Sequence, residues 1–265
     1  MTSSAYETVN LSELGELGLL AELEQRGLAD GIADDAAQVA GLIVTQDALI
    51  EDVHFRLTEI SWRDLGYRAA AVNISDLAAS GARPLALLVT LGAPPETAAD
   101  DVFELYEGIG ETGVAVVGGD TTRSPQVVVT VTALGRAERT PGRGGARPGD
   151  LLVVTGPLGG KPVRPPLRVE EGVRLAQHAH AMLDISDGLA RDVGHIAARS
   201  GVRCVIELDR VPLAEGATVE DLGYGEDYEL LAAVKDADGF TVIGRCEEGE
   251  GVEGLGSLGG WDHFA

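Results

Sequence analysis

Aspartates beside glycine or another small residue recur along the chain, at Asp34 and Asp35, Asp47, Asp76, Asp120, Asp184 and Asp187. Short carboxylates at strand ends or in tight turns can converge above a sheet. Hard oxygen donors without a soft ligand nearby suit Mg²⁺, which takes few protein carboxylates and keeps its other positions for water and phosphate oxygens. Gathered without a cation, the same groups would repel one another strongly. Any one of them alone reads more simply as an Asx turn or a helix cap. The set together points to a metal and to phosphate chemistry.

Other routes to catalysis find no support. Lys161 follows Gly160, but Thr155 stands where a phosphate loop needs its first glycine and Pro162 where it needs Ser or Thr. Gly108, Gly110 and Gly113 fit GxGxxG, yet they fall late in a helical pattern and before a strand, the reverse of the dinucleotide-binding order. No GxSxG elbow occurs and neither cysteine lies in a nucleophile motif, so covalent catalysis has no candidate.

Composition narrows the partners. The 265 residues are 45% hydrophobic and 24% charged, enough for one large domain or two modest ones. Lys and Arg total 20 against 43 Asp and Glu, a net charge of −23, which disfavours nucleic acid and anionic membranes as partners. A phosphate ligand must therefore arrive with cations. Cys204 and Cys246 read as packed thiols of a reducing cytoplasm, and no apolar run approaches the roughly 20 residues that span a bilayer.

The elements that must position the aspartates alternate. Leu11 to Arg26 has leucines at helical spacing, with Asn10 and Glu13 as a capping box. Leu42 to Thr45 reads as a strand, Ser61 to Gly81 as a helix with Asn73 and Asp76 near its carboxyl end, and Ala86 to Leu91 as a strand. A helix over Glu96 to Thr112 and strands over Val114 to Val117 and Val127 to Leu134 follow. The Gly-, Pro- and Arg-rich stretch Arg136 to Asp150 is an irregular connection, dividing the chain into 1–137 and 138–265. Beyond it come a strand at Leu151 to Thr155, a helix at Val169 to His180, and another from Asp187 to near Gly201. Strands at Arg203 to Leu208, Glu229 to Val234 and Phe240 to Arg245 complete a smaller half. The fold class is α/β (α+β).

Ordered blocks of the sequence carry a resemblance: GIADDAA (Gly31 to Ala37), TQDALIEDVHF (Thr45 to Phe55), AVNISDLAASGA (Ala71 to Ala82), GGDTTR (Gly118 to Arg123), DISDGL (Asp184 to Leu189), GEDYELL (Gly225 to Leu231) and WDHF (Trp261 to Phe264). They resemble the thiamine-monophosphate kinase family over nearly the whole chain. Its wider superfamily, with aminoimidazole ribonucleotide synthetase, selenophosphate synthetase and the hydrogenase-maturation dehydratase, uses ATP without a Walker A loop. The WDHF ending and the VNISDLAASGA phrase point to the thiamine branch.

The resemblance implies Mg²⁺-dependent transfer of the γ-phosphoryl of ATP to thiamine monophosphate, in a homodimer whose amino-terminal sheets form a shared barrel. It assigns Asp35, Asp47, Asp76, Asp120, Asp184 and Asp187 to several Mg²⁺ ions with Thr45 beside them. It places Gly119, Asp120, Arg143 and Ser186 at the nucleotide, and His54, Glu226 and Trp261 at the thiamine substrate. Read without it, His54 could simply close a strand, Trp261 plug the carboxyl terminus, and Arg143 sit in a solvated linker; His178 and His180 are expected to face solvent. An indole face also suits the cationic thiazolium. An acceptor phosphate that is already ionised needs no general base, and none is assigned.

Departures from the family pattern accompany these matches. Ala33 stands for a glycine, Gln46 for a hydroxyl residue, and Tyr224 for a glycine beside the expected thiamine site. The carboxyl-terminal half is short, with helical stretches missing after Gly156 and between Pro212 and Gly225. Their loss should expose apolar surface unless a partner or a rearranged loop covers it. The alternatives to a working kinase are a non-catalytic relative that binds ATP or thiamine phosphates, and another reaction of the superfamily.

Overall fold

The computed structural model describes residues 10–30, 32 and 34–261, so Gly31, Ala33 and all of WDHF after Trp261 lie outside the described residues. Helix α1 (Leu11–Gln25) begins with the expected capping box, the Asn10 amide donating to Glu13 at 2.9 Å.

The first sheet comprises β1 (Ala37–Val39), β2 (Leu42–Ile50), β3 (Arg83–Ala93), β4 (Val116–Arg123) and β5 (Val128–Arg136), in the order β1-β2-β5-β3-β4. Its pairs are antiparallel except β3–β4, whose parallel register follows from the crossover through α3 (Ala99–Gly110). Residues of β5 alternate between buried and half-buried, so one face of the sheet packs on helices. Helix α2 (Trp62–Ala79) is that cover; Ser61 caps it by accepting the Asp64 amide. Where α2 crosses α3, a Cβ on Gly108 would stand 1.8 Å from the Arg63 carbonyl oxygen. The first glycine of the GxGxxG match thus serves helix packing.

The second sheet has β6 (Leu151–Val154), β7 (Ala181–Asp184), β8 (Arg203–Ile206), β9 (Leu230–Val234), β10 (Thr241–Glu247) and β11 (Gly251–Glu253), in the order β11-β8-β10-β6-β9-β7. Helix α5 (Leu189–Ser200) packs Val193 and Ile196 onto Leu152, Leu183 and Leu231 of this sheet. The seam between the halves is built by the end of α2. Ala78 and Ala79 join Leu175 of α4 (Val169–Ala176) and Met182, Leu230 and Val234 of the second sheet in one buried cluster.

Several boundaries differ from expectation. Strand β2 continues to Ile50, so Asp47 lies within a strand rather than at its end, as does Asp120 in β4. Strands β1, β7 and β11 have no counterpart in the sequence reading. His180 does not face open solvent: its Nδ1 lies 2.8 Å from the buried Asp150 carboxylate, and His178 is half-buried. Cys204 and Cys246 face each other as free, buried thiols on β8 and β10, their sulfurs 4.0 Å apart.

The segments 155–168 and 207–229 hold no α-helix, only short 3₁₀ turns at Leu208–Arg210 and Glu220–Gly223. They cover each other instead. Leu158 and Leu222 are fully buried, and Leu158 exchanges backbone hydrogen bonds with Pro212 and Ala214, both 2.8 Å. The loops thus bury part of their own apolar surface, while Val163, Leu213 and Val219 within them stay exposed. Among the described residues no helix is long and apolar enough to cross a membrane.

Candidate active site

Three carboxylates from separate parts of the chain meet at the seam. Asp35 precedes β1, Asp76 occupies the last turn of α2, and Asp184 ends β7; one oxygen from each lies within 4.8 Å of the others. Docking of α2 on β7 brings them together. Thr45 on β2, almost fully buried, donates its hydroxyl to Asp76 at 2.6 Å, with the Asp35 carbonyl oxygen 3.1 Å from the same Oγ1. Ser75 donates to Asp184 at 2.5 Å, and the Asn73 side chain accepts the Asp47 amide at 2.9 Å. Asn73, Ser75 and Asp76 therefore fix the site from one helix end.

The electrostatics are unbalanced. Burial, then the negative charges of Asp47, Asp184 and Asp35, hold the Asp76 carboxyl well above the usual carboxylate range. Asp184 is pushed up to about 8, first by burial and then by Asp35. Asp35 is raised by burial despite Arg143, whose guanidinium reaches it through Nε at 2.8 Å and Nη2 at 2.5 Å. One guanidinium faces three buried carboxylates, and that deficit of positive charge suits a divalent cation among hard oxygen donors.

Beside the cluster opens a cleft of about 550 Å³, within the range of small-molecule sites. Asp47, His54, Arg143, Ser186, Asp187, Glu226 and Trp261, all singled out from the sequence, line it. His54 closes β2 by accepting the Ile50 amide on Nδ1 at 3.0 Å, and it also lines the cleft. Trp261 donates its amide to the Asp187 carbonyl at 2.9 Å with its side chain half exposed to the cleft. Glu226 pairs with buried Arg68 at 2.7 Å and holds a left-handed backbone, φ +62°. Such strain collects at functional sites.

Gly119 and Asp120 are not brought to this cleft. They lie on β4 at a separate cavity with Val89, Tyr106 and Thr121. Gly119 is required by strand pairing: at φ +143°, a Cβ there would stand 1.8 Å from the Val89 carbonyl oxygen.

The sequence reading missed several groups. Asp192 accepts the amides of Asp187 and Gly188 at 3.2 and 3.1 Å, capping the start of α5, and groups with Asp187 and His195 within 4.8 Å. His195 is pushed down to about 4 by burial and then by Arg143, Arg191 and Arg199. Arg191 pairs with Asp187 and with Glu16 of α1, both at 3.2 Å. The i to i+3 spacing of Asn73 and Asp76 on one helix was a usable signal; nothing local marked Arg68 or Arg191. The two departures inside the described residues are accommodated. Gln46, exposed at the border of the cleft, accepts from the Thr132 hydroxyl at 2.8 Å, while the Tyr224 ring carries the Lys161 ammonium at 4.3 Å. The Gly159 and Gly160 amides are taken up by the buried Asp227 carboxylate at 2.9 Å each.

Comparison with known proteins bears on the fold and the family. AIR synthase related protein, N-terminal domain, matches residues 33–137, and its C-terminal domain matches residues 159–258. Thiamine-monophosphate kinase of Pyrococcus horikoshii is 34% identical, with 88% of this chain and 91% of that protein covered. The enzyme of Aquifex aeolicus is 32% identical over 97% of this chain and 100% of its own length; that alignment runs over 307 positions, more than this chain possesses, so gaps fall here. The solved structure of AaThiL complexed with AMPPCP and TMP superposes with a TM-score of 0.90 at 32% identity, covering 97% of this chain and 100% of that one. A HypE–HypF complex at 18% identity, TM-score 0.73, shares the fold alone. With its two-sheet architecture retained and the gaps confined to a minority of positions, the chain belongs to the thiamine-monophosphate kinase family.

Proposed function

We propose that this protein transfers the γ-phosphoryl group of ATP to thiamine monophosphate, giving ADP and thiamine diphosphate. The observation that carries this reading is the convergence of Asp35, Asp76 and Asp184, short of positive charge, at the wall of a cleft of small-molecule size. Relatives bearing the kinase name and a matching structure complexed with AMPPCP and TMP supply the substrate classes.

The donor set fits Mg²⁺: Asp35, Asp76 and Asp184 would hold it, with Asp47 and Asp187 on the same cleft. Bound there, Mg²⁺ supplies neutralisation of phosphate charge that a chain of net charge −23 cannot. The protein's own residues do the rest by placement. An oxygen of the acceptor monophosphate attacks the γ-phosphorus as its bond to the β-bridging oxygen breaks, ADP leaving in line. That acceptor oxygen is ionised near neutral pH, so no side chain has to remove a proton. Arg143 and Ser186 stand at the nucleotide end, and His54, Glu226 and Trp261 at the thiamine end. Asp120 and Gly119, on an edge strand outside the cleft, reach a site only if a second copy docks along β4; we propose that homodimer, with the first sheets facing each other.

Incubation with ATP, Mg²⁺ and thiamine monophosphate, with free thiamine as control acceptor, should yield chromatographically detected thiamine diphosphate from the monophosphate alone. Folded, nucleotide-binding protein that yields none would replace the kinase with a binding role.

A further inference from the structure

Lys161 is one of only two lysines in the chain, the other being Lys235. It lies in the loop over 155–168, and it lines the cleft. The loop is held firmly. Asp227, buried, ties down the Gly159 and Gly160 amides; Leu158 is bridged to Leu213; the Pro162 carbonyl accepts from Arg68 at 3.0 Å. Lys161 itself has φ +42°, a left-handed conformation that glycine would adopt without cost and that the two preceding residues, both glycines, show the loop could accommodate. A side chain kept at such a position points to a use for it.

The other strong cations of the cleft are engaged: Arg143 with Asp35, and Arg191 with Asp187 and Glu16. Lys161 differs. Among the described residues no carboxylate pairs with its ammonium, which rests 4.3 Å above the half-exposed Tyr224 ring. Its charge is felt by Asp221, but that carboxylate already accepts from the amide and hydroxyl of Thr218, both at 2.8 Å. The ring orients the cation without neutralising it.

We infer that Lys161, propped on Tyr224, is a substrate-binding residue for the phosphate of the thiamine monophosphate acceptor. The inference rests on the kinase reading and deepens it. The acceptor rather than the nucleotide is assigned because Pro162, the next residue, is linked through Arg68 to Glu226 at the thiamine end, whereas Arg143 stands with the carboxylate cluster. Tyr224, a departure from the family's glycine, and Lys161 then act as a pair that the shortened domain uses to hold an anion in an acidic cleft.

Equilibrium binding of thiamine monophosphate, thiamine and AMPPCP to Lys161→Met, Lys161→Gly and Lys161→Arg tests this. Met and Gly should weaken the monophosphate by about tenfold, the scale of one charge-assisted hydrogen bond at a partly open site, and leave thiamine and AMPPCP at wild-type affinity. Arg should retain most of the monophosphate affinity, and Gly should not lower the thermal midpoint. Equal weakening of thiamine, weakening of AMPPCP instead, or no change with Met and Gly would each overturn the assignment. Wild-type protein that binds AMPPCP but no thiamine monophosphate would overturn the kinase reading itself, and this inference with it.

Discussion

Strands β7 and β4 each carry an aspartate that the family resemblance assigns to metal, and they treat it in opposite ways. Every residue of β7 is buried; Asp184 closes it, takes a hydrogen bond from Ser75, and meets two further carboxylates of the same chain. Strand β4 is an edge strand paired, among the described residues, with β3 alone; seven of its residues are exposed, and Asp120 sits in its middle, three residues from the 65% exposed Val117. A buried carboxylate must find its partners within the chain, because leaving it unmatched is costly. An unpaired edge can wait for another molecule. The inner half of the site thus lies within one chain, and the proposed outer part, at Asp120, would be completed by a second.

The largest effect should come from breaking the inner half. Asp184→Asn keeps an acceptor for Ser75 but removes a charge from the donor set, and turnover should fall by about a thousandfold or more with the fold retained in circular dichroism. Turnover within tenfold of wild type would deny the cluster its proposed metal.

Asp120→Asn should follow, with turnover lowered about a hundredfold and little change in thermal midpoint, as befits an exposed side chain. Mixing it with Asp184→Asn sharpens the comparison. If Asp120 serves the neighbouring chain's cleft, a mixed dimer rebuilds one intact site, and after subunit exchange activity should return to about a quarter of wild type. If it serves its own chain, the mixture stays inactive.

Much of this architecture was legible, and the reason differs by element. Helix α2 announced itself through Ser61 and an alanine-rich run, β3 and β5 through β-branched and leucine residues, and α5 through Gly201 at φ +64° at its end. Strands β1 and β11 escaped because each has three residues, too few for a period to show, and β7 because its Ala-Met-Leu-Asp run holds no β-branched residue. Helix α4 stops at Ala176 rather than His180 because the following residues turn to bring His180 to Asp150. The aspartates could be picked from local pattern. Their convergence could not, since it depends on the end of α2 docking against β7, and no spacing in the sequence encodes that contact. Lys161 was noticed only as part of a failed phosphate loop; its cleft position arises from Asp227 drawing in the two glycine amides.

That docking can be attacked directly. In α4, a Cβ on Gly172 would stand 2.2 Å from the Ala78 carbonyl oxygen of α2. Gly172→Ala should therefore cost about 1–3 kcal/mol of stability by denaturant unfolding, through forced separation of the two helices. Gly194→Ala in α5, where an added Cβ meets nothing within 4 Å, should instead stabilise by about 0.5–1 kcal/mol. Similar values of either sign at both positions would mean that the seam is not tightly packed.

The smallest effect should come from restoring the family's hydroxyl on β2. Gln46 is exposed, and its cross-strand partner is Thr132, so Gln46→Thr replaces a side-chain hydrogen bond by a threonine pair and should shift stability by no more than about 0.5 kcal/mol. Turnover should likewise stay within about twofold, because the contribution of β2 to the site runs through neighbouring groups: the buried Thr45 hydroxyl on Asp76 and the Asp47 amide on Asn73. Position 46 alternates to the other face of the strand from Thr45, and although its exposed side chain borders the cleft, it holds none of these groups. A rise of tenfold or more would show that the missing hydroxyl limits the reaction. The exposed face of β2 would then belong with β4, as part of the site that one chain leaves unfinished.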